Sequence, residues 1–398
     1  MKKYSIIALV LMLSILFTGC APSEVKLYDA FIKAQDITSM ENDTKLNLTL
    51  EFKNFPNETQ QQLEEANKML KNLEFNVHMK QTSNKDKTVA MAEMITDMNL
   101  GGMIMGMDTW VDMDLSKDEP KMEAIIKIPQ LFMNQIAAED TSKEYIVYDY
   151  IKIMDLAQEE FDFNEFMKTS MDFNEKILEF TKEYYKDFEP GFKIVDYKGK
   201  KAIDGETLSI YEVKLNDDNF KELIRYMVND SIDNEDSIKL FKEYMDMILQ
   251  ISQVTEVEKE EALTEINESM EELKENLPEL KDKFNKFIDT FKDVKVLGEE
   301  GIVIEYGVNK DGYVVREVGK MDINIDLKAL GQAFEEDVLS ENAGILKLSI
   351  TFDSKAYNIN EKIEINIPEV NEKNSVSFNE ILEQNTNTIE ESEEVPVK

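Results

Sequence analysis

Between Val89 and Ile128 apolar residues recur at every second position, a period that predicts extended strands with one apolar face. The odd positions of the central run share that face: Met103, Met105, Met107, Thr109, Val111, Met113 and Leu115. The even positions are largely acidic, with Trp110 as the apolar exception. In the preceding run Met94 and Met98 lie on one side, and Gly101-Gly102 predicts a hairpin turn. We therefore expect a large antiparallel sheet with a thioether-rich apolar face.

The methionines of this face have three interpretations. Methionine fills irregular gaps in any core, and it is also common on surfaces that accept several apolar partners, so these residues suit either a core or the wall of an adaptable ligand cavity. The third interpretation is a copper(I) site, because Met103, Met105 and Met107 present three soft thioethers on one side of a strand. The only histidine is His78 and the only cysteine is Cys20, so no other soft or imidazole ligand is expected to join them.

The same alternation marks the other predicted strands. They are Lys45–Phe52, Glu74–Lys80, Tyr145–Tyr148, Phe192–Tyr197, Thr207–Leu215, Ile302–Val308, Tyr313–Val318, Asp322–Leu327, Ile345–Phe352 and Ile363–Ile367. Apolar residues at helical spacing predict a helix over Glu24–Gln35. Residues 371–398 are acidic and poor in apolar side chains, so we expect a disordered tail.

A second apolar surface comes from a densely aromatic helix predicted from Phe161 to Phe188. Phe166, Phe173 and Phe180 fall on one stripe of this helix at near-heptad spacing, and Pro190 follows its end. Such a stripe must be buried, and the apolar face of the sheet is the expected partner. Packing on protein explains the stripe, and so does a cavity between helix and sheet that holds a lipid-like ligand.

Three further helices are predicted between residues 217 and 293. The last keeps strict three-four spacing of apolar residues: Leu263, Ile266, Met270, Leu273, Leu277, Leu280, Phe284, Phe287 and Phe291. Pro278 interrupts this stripe, so we expect a kink or two helices. Two interpretations stay open, namely an antiparallel helical hairpin packed on the helix before it and a docking surface for a partner helix.

The first twenty residues have the pattern of a leader. Two lysines precede an apolar stretch, Ile6–Phe17, that is too short to span a bilayer comfortably, and small residues then lead to Cys20. The pattern resembles the lipobox of bacterial lipoproteins. This resemblance implies a signal peptide over residues 1–19, a lipidated tether over residues 20–23, and two acyl chains on Cys20 that hold the protein at the extracytoplasmic face of the cell membrane.

Composition excludes one class of function. The chain has 82 acidic and 45 basic residues and a formal net charge of −37. Such a surface repels nucleic acids, and the two arginines, Arg225 and Arg316, are too few for a phosphate-recognition cluster. Nucleic-acid binding is therefore set aside. The abundance of Lys, Asn, Ile and Glu indicates a Gram-positive type of cell.

Catalytic and cofactor-binding motifs are not found in the sequence. It has no nucleophile elbow, phosphate-cradling glycine loop, dinucleotide fingerprint or zinc-ligand spacing. Asp112, Asp114, Ser116 and Asp118 have the rhythm of a calcium loop, but Lys117 stands where that loop needs its turn glycine, so a solvated acidic turn is favoured. We expect neither an enzyme nor a bound cofactor.

The order of elements resembles a family. A helix after the anchor, long alternating strands, an Asp204-Gly205 turn that feeds a strand, and a last strand ending in Ile367-Pro368 are similar to clostridial-type lipoproteins related to the LolA/LppX lipid-carrier superfamily. The resemblance covers residues 24–370. It implies an α+β fold in which a large curved antiparallel sheet forms a half-barrel, with helices on its concave apolar face, acyl chains in the gap, and a helical insertion over residues 217–293.

Two functional hypotheses follow. The first is a carrier or sensor of a hydrophobic, lipid-like ligand, with candidate contacts from Met94, Met98, Met103, Met105, Met107, Met113, Phe166, Phe173 and Phe180. The second is an envelope scaffold that docks a protein partner through its long helices. A carrier requires an enclosed apolar cavity, whereas a scaffold requires a solid core and an exposed apolar patch.

Overall fold

The computed structural model describes residues 22–117, 119–136, 142–157, 163–184, 188–251, 256–333 and 344–381. Cys20, Asp118 and residues 382–398 lie outside these ranges. The strands are β1 (Ser39–Lys53), β2 (Leu73–Ser83), β3 (Val89–Leu100), β4 (Met103–Asp114), β5 (Lys121–Lys127), β6 (Tyr145–Asp149), β7 (Val195–Ile203), β8 (Glu206–Leu215), β9 (Leu297–Val308), β10 (Val314–Asp326), β11 (Ile345–Tyr357) and β12 (Ser375–Ser377). The helices are α1 (Pro22–Ala34), α2 (Asn57–Leu70), α3 (Gln130–Ile136), α4 (Tyr150–Ala157), α5 (Phe163–Tyr184), α6 (Asp217–Asp233), α7 (Glu235–Ile251), α8 (Glu256–Thr290) and α9 (Leu327–Ala333).

The strands of the described residues form one hydrogen-bonded sheet in the order β12-β6-β5-β4-β3-β2-β1-β11-β10-β9-β8-β7. The runs β3 to β6 and β7 to β10 pair antiparallel, and β12 joins β6 in parallel. Because β12 and β7 are end strands, the sheet is not closed. The predicted α+β class, with a large antiparallel sheet and several helices, is confirmed.

The chain divides into two compact units. The first consists of residues 1–35, 46–73 and 165–353, and the second of residues 36–45, 74–164 and 354–398. The first unit therefore contains α1, most of α5, the strands β7 to β10 and the helices α6 to α9. The second contains the methionine-rich strands β3 and β4 together with β5, β6 and β12.

The core of the first unit involves α1, α6 and the strands β7 to β9. Its buried residues are Leu27, Ala30, Tyr184, Phe188, Ile194, Val195, Tyr211, Leu215, Leu223, Met227 and Val308. On α1, Phe31 meets Tyr306 edge-on, with ring centroids 5.1 Å apart. Since Tyr184 ends α5, the aromatic helix is held in this core at its C-terminal end. The sequence predicted the methionine-bearing sheet face as its partner, but alternation alone does not identify which strands a helix covers.

Helices α6 and α8 run antiparallel. Asn229 and Asn285 exchange side-chain hydrogen bonds of 3.0 and 2.9 Å, the Arg225 guanidinium lies 2.7 Å from Asp289, and Lys281 pairs with Asp233. The contact position thus moves four residues towards the C-terminus of α6 for every four residues towards the N-terminus of α8. The division of the last helix into two at Pro278 is not observed, because α8 continues through it.

Two C-terminal segments differ from expectation. Ile363–Ile367 alternates between half-buried and exposed positions but joins none of the ladders among the described residues. Ser375–Ser377 forms β12 inside the tail that was predicted to be disordered, and Val376 is buried there opposite Ile146. The contacts that order this stretch include pairing with β6, the buried Val376 and the stacking of Phe378 on Tyr148, and the local apolar content does not reveal them.

Candidate functional site

Strands β3, β4 and β5 place the methionine run on one side of the second unit, which we call the methionine face. It consists of Met94, Met98, Leu100, Met103, Met105, Met107, Val111, Met113, Met122, Ala124 and Ile126. The register sets Met98 opposite Met105 and Met113 opposite Met122. Directly opposed residues have Cβ atoms about 4.5–5.5 Å apart. The six methionines predicted to bind a ligand therefore share one continuous surface.

Coverage of the methionine face changes along β4. Met105 is 9% exposed, whereas Met107 is 39% and Met103 58% exposed. Met94, Met98 and Met113 are half-buried. Because two of the six present a large part of their side chain to solvent, packing in a core does not by itself account for the set.

The methionine face is buried where it continues onto the strands at the sheet edge. Ala124 on β5, Ile146 on β6 and Val376 on β12 are buried. Tyr148 lies opposite Ala124 and stacks on Phe378, with ring centroids 4.4 Å apart. Burial raises the pKa of the Tyr148 hydroxyl, because apolar surroundings disfavour the phenolate. The face is thus covered at β5, β6 and β12, and near the β3–β4 hairpin it exposes Met103 and Met107 on either side of the buried Met105.

The opposite side of the same strands carries the acidic positions predicted from the alternation. Glu93 is buried and accepts a hydrogen bond of 3.1 Å from Lys80 Nζ. Burial raises the pKa of the Asp108 carboxyl. Trp110 packs against Tyr145, with 6.2 Å between ring centroids, which accounts for the one apolar residue among these acids.

Lysines hold the carboxylates of the acidic turn. Lys121 Nζ lies 2.6 Å from Asp112 Oδ2, and Lys117 Nζ lies 2.7 Å from Asp114 Oδ2. Hydrogen bonds from Lys117 and Ser116 lower the pKa of Asp114 to about 2. Within the ranges that the structure describes, no group of three or more His, Cys, Asp or Glu side chains could hold a metal ion.

The aromatic candidates lie on α5. Phe173 is 5.7 Å from Tyr244 of α7 between ring centroids, and Phe180 is 5.6 Å from Tyr184. Phe166 is half-buried near the start of the helix. The structure therefore assigns these phenylalanines to the helical part of the first unit and the methionines to the sheet of the second.

One row of side chains escaped the sequence interpretation. Tyr197, Tyr211, Tyr306 and Glu317 occupy successive opposed positions on β7, β8, β9 and β10. Burial raises the pKa values of Tyr306 and Glu317. The feature that identifies this row is the position of Glu317 opposite Tyr306, and it can be recognised only when the strand register is known.

Comparisons with known proteins add little to this description. No family model matches the chain, and no curated protein matches it. Among solved structures, the chain is similar to a DUF1329 family protein from Desulfovibrio piger ATCC 29098, with 7% sequence identity over 87% of this chain and 96% of that chain. The TM-score is 0.19, so the likeness carries no argument about fold or function. In the described part of the chain, no helix is both long and apolar enough to cross a membrane.

Proposed function

We propose that the protein is a membrane-anchored extracytoplasmic lipoprotein that binds a hydrophobic, lipid-like ligand on the methionine face, as a carrier or sensor and not as an enzyme. The observation that supports this best is the set of six methionines in register on one face, partly exposed at one end and closed by aromatic packing at the other. A sheet face whose apolar side chains are covered in one part and exposed in another offers an elongated apolar ligand a surface to lie along.

Binding to the methionine face would depend on the apolar area that is buried, and little on directional hydrogen bonds. Removing apolar surface from water contributes about 25 cal/mol per Å². A ligand that covers Met103 and Met107 gains this contribution from side chains that the protein itself leaves partly in water. Methionine has three rotatable bonds and a polarizable sulfur, so the face adapts to the shape of the ligand. We therefore expect the methionine face to select ligands by the length and bulk of their apolar part and to discriminate little between headgroups.

Anchoring at the membrane is the second part of the proposal. The resemblance of the first twenty residues to a lipobox supports acylation of Cys20 and a place at the outer surface of a Gram-positive type of cell membrane. The resemblance of the whole plan to the LolA/LppX superfamily, in which acyl chains lie between sheet and helices, supports the same class of ligand.

Native mass spectrometry with organic extraction tests the ligand. The sample is the chain without its leader and with Cys20→Ser, extended through β12 and purified without detergent. We expect a co-purifying lipid of defined mass that Met94→Lys removes. Ile95→Lys, on the next residue of the same strand and on the opposite face, is the matched control and keeps the lipid. A chain that stays free of lipid after incubation with a lipid extract contradicts the proposal, as does equal loss in both variants.

A second candidate function is an envelope scaffold that docks a protein partner. Tyr244 and Ile248 support it, because both are exposed apolar residues one turn apart on α7, and Leu263 is exposed on α8. In this case a Tyr244→Lys, Ile248→Lys double variant loses a partner that is cross-linked to the parent chain in intact cells, and its lipid content is unchanged.

A further inference from the structure

Four methionines of the β3–β4 hairpin lie together on the methionine face, and we call them the thioether cluster: Met98, Met103, Met105 and Met107. Met98 lies directly opposite Met105, and Met103 and Met107 stand two residues to either side of Met105. Met98 is therefore diagonal to both of them. Opposed Cβ atoms are about 4.5–5.5 Å apart and diagonal residues about 7–8 Å, which long side chains can bridge. The four sulfurs can thus converge in front of Met98.

The spacing of the thioether cluster suits a metal ion with sulfur ligands. Such ligands lie about 2.3 Å from the metal, so the sulfurs of a four-coordinate site are about 3.8 Å apart. Each methionine sulfur lies beyond Cγ on a chain with three rotatable bonds. Sulfurs from opposed and diagonal positions can therefore reach this separation by side-chain rotation, without movement of the strands.

Exposure divides the thioether cluster into a base and two arms. Met105 is buried and Met98 half-buried, so the sheet holds these two side chains in place. Met103 and Met107 are exposed on either side of them. Packing on protein accounts for the base, but it leaves the two arms partly in water. An ion that rests on the base and is closed over by the arms would bring all four sulfurs to use.

The type of ligand decides which ion fits. Thioethers are soft and uncharged, and they select copper(I) over harder ions. On the methionine side of β3 and β4 the polar side chains are Thr96 and Thr109, so this surface offers neither a carboxylate nor an imidazole. Calcium and magnesium require oxygen ligands, and zinc is held by thiolate, imidazole or carboxylate. Copper(I) is therefore the ion that matches the thioether cluster.

Carboxylates on the reverse side of the same hairpin favour a positive charge here. Burial raises the pKa of the Asp108 carboxyl, Lys127 lowers it, and the carboxylates of Asp97 and Glu93 raise it. Charges on the two faces of one strand lie on the order of a Debye length apart, about 8 Å. A cation in the thioether cluster would reduce the repulsion among these carboxylates, which offsets part of the cost of removing the ion from water.

We propose that the thioether cluster binds one copper(I) ion, with Met98 and Met105 as its base and Met103 and Met107 as the arms that close over it. This role goes beyond lipid binding and does not rest on it. The strand register supplies the essential member. Met103 and Met107 are about 13 Å apart along β4, so the three methionines of that strand form a row that cannot surround an ion. Met98 on the neighbouring strand turns this row into a cluster.

X-ray absorption at the copper edge tests the ligand set. The full chain carries Cys20→Ser, which removes its only thiol, and is stripped of lipid and loaded with one equivalent of copper(I) in the absence of oxygen. We expect a first shell that consists of sulfur alone at about 2.3 Å. A shell of nitrogen or oxygen ligands overturns the inference, because the thioether cluster contains neither.

A matched pair of leucine substitutions on β3 locates the site in the same Cys20→Ser chain. Met98→Leu removes the thioether opposite Met105, whereas Met91→Leu removes one from the reverse face of the same strand, opposite Asp112. Both native side chains are half-buried, and leucine conserves their volume, so both variants should fold.

Competition with a chromophoric copper(I) chelator measures the affinity of each variant. Changes outside the ligand set already lower metal affinity about 10–100-fold, so we expect Met98→Leu to weaken binding at least about tenfold. Met91→Leu should leave the affinity unchanged. Met103→Leu, at a side chain that is 58% exposed, keeps the test decisive if Met98→Leu does not fold, and it should weaken binding as well. Equal affinities of the cluster variants and Met91→Leu overturn the inference.

The pH dependence of binding separates thioethers from other copper ligands. A thiolate or imidazole ligand must lose its proton to bind, whereas a thioether has none to lose. The affinity for copper(I), corrected for the titration of the chelator, should therefore stay constant from about pH 5 to about pH 8. An affinity that rises across this range identifies a titrating ligand and overturns the inference.

The test is independent of the proposed function. Copper(I) bound through sulfur in a chain that never retains lipid supports this inference and removes the carrier. If lipid co-purifies while copper(I) binds Met98→Leu and Met91→Leu equally, the proposed function stands and this inference fails.

Discussion

Alanine substitutions along β4 test the differences in exposure between the methionines of the methionine face. Met103, Met105 and Met107 follow one another at two-residue steps on one face, so each change removes the same atoms in the same backbone setting. Met105 is 9% exposed, and its replacement leaves a cavity that costs about 2–5 kcal/mol of unfolding free energy. Met107 is 39% and Met103 58% exposed, so the corresponding losses are about 1–2 and about 1 kcal/mol.

Urea unfolding of the delipidated chain, followed by circular dichroism, measures these costs. A shift of the midpoint at unchanged slope reports a change in stability alone. A bound lipid adds cover to Met103 and Met107, so in its presence their alanine variants should lose additional stability through weaker binding. Equal costs at all three positions in the delipidated chain would contradict the differences in exposure from which they are calculated. If added lipid does not change the stability cost of the Met103 and Met107 variants, the ligand does not lie on these residues.

Three further measurements follow from the structure. Burial raises the pKa of the Glu317 carboxyl above its ordinary 4.5, so the folded chain binds this proton more tightly than the unfolded chain does. The unfolding free energy therefore falls as the pH rises from the pKa of the unfolded state through that of the folded state. Glu317→Gln should therefore be the more stable chain at about pH 8 and lose that advantage below about pH 4, and a constant difference in urea midpoint across this range would contradict burial as the cause. Asn229→Ala, Asn285→Ala and the double variant should give a coupling energy of about 1–2 kcal/mol in thermal unfolding, and no coupling would mean that the paired amides of α6 and α8 stay bonded to water. Replacement of the three β4 methionines by leucine should abolish copper(I) uptake, measured by competition with a chromophoric chelator, only if the thioethers bind the metal; binding that survives excludes a thioether site.

Period-two alternation was enough to predict the methionine face. A residue and its second neighbour must share a side of a strand, so Met94 and Met98, and likewise Met103 and Met105, could be placed together from the sequence. Their coverage could not be predicted in the same way. Met105 and Met103 have the same pattern, yet one is buried and the other exposed, because cover depends on elements distant in sequence.

Other differences have the same origin in long-range partners. Ile363–Ile367 has a strand pattern and no ladder among the described residues, since pairing needs a neighbour with a free edge. Ser375–Ser377 has a polar sequence and forms a strand, because the edge of β6 is available to it. Glu93 lies on the face opposite the methionines and is buried with Lys80 as its partner, which the alternation alone does not reveal. The local sequence pattern predicts the conformation of a segment, but it does not predict which other segments pack on it.

The contrast between the two cores supports the proposed position of a ligand. In the first unit Phe188 and Met227 are almost fully buried, so this sequence has enough apolar side chains of suitable shape to close a core. The second unit closes its face at Ala124 and Ile146 and leaves it open at Met103. An exposed flexible thioether gains little from a neighbouring strand, but it gains apolar contact from any acyl chain that lies along it. The proposed ligand should therefore be detected first at Met103, where an alanine substitution reports directly on the loss of contact.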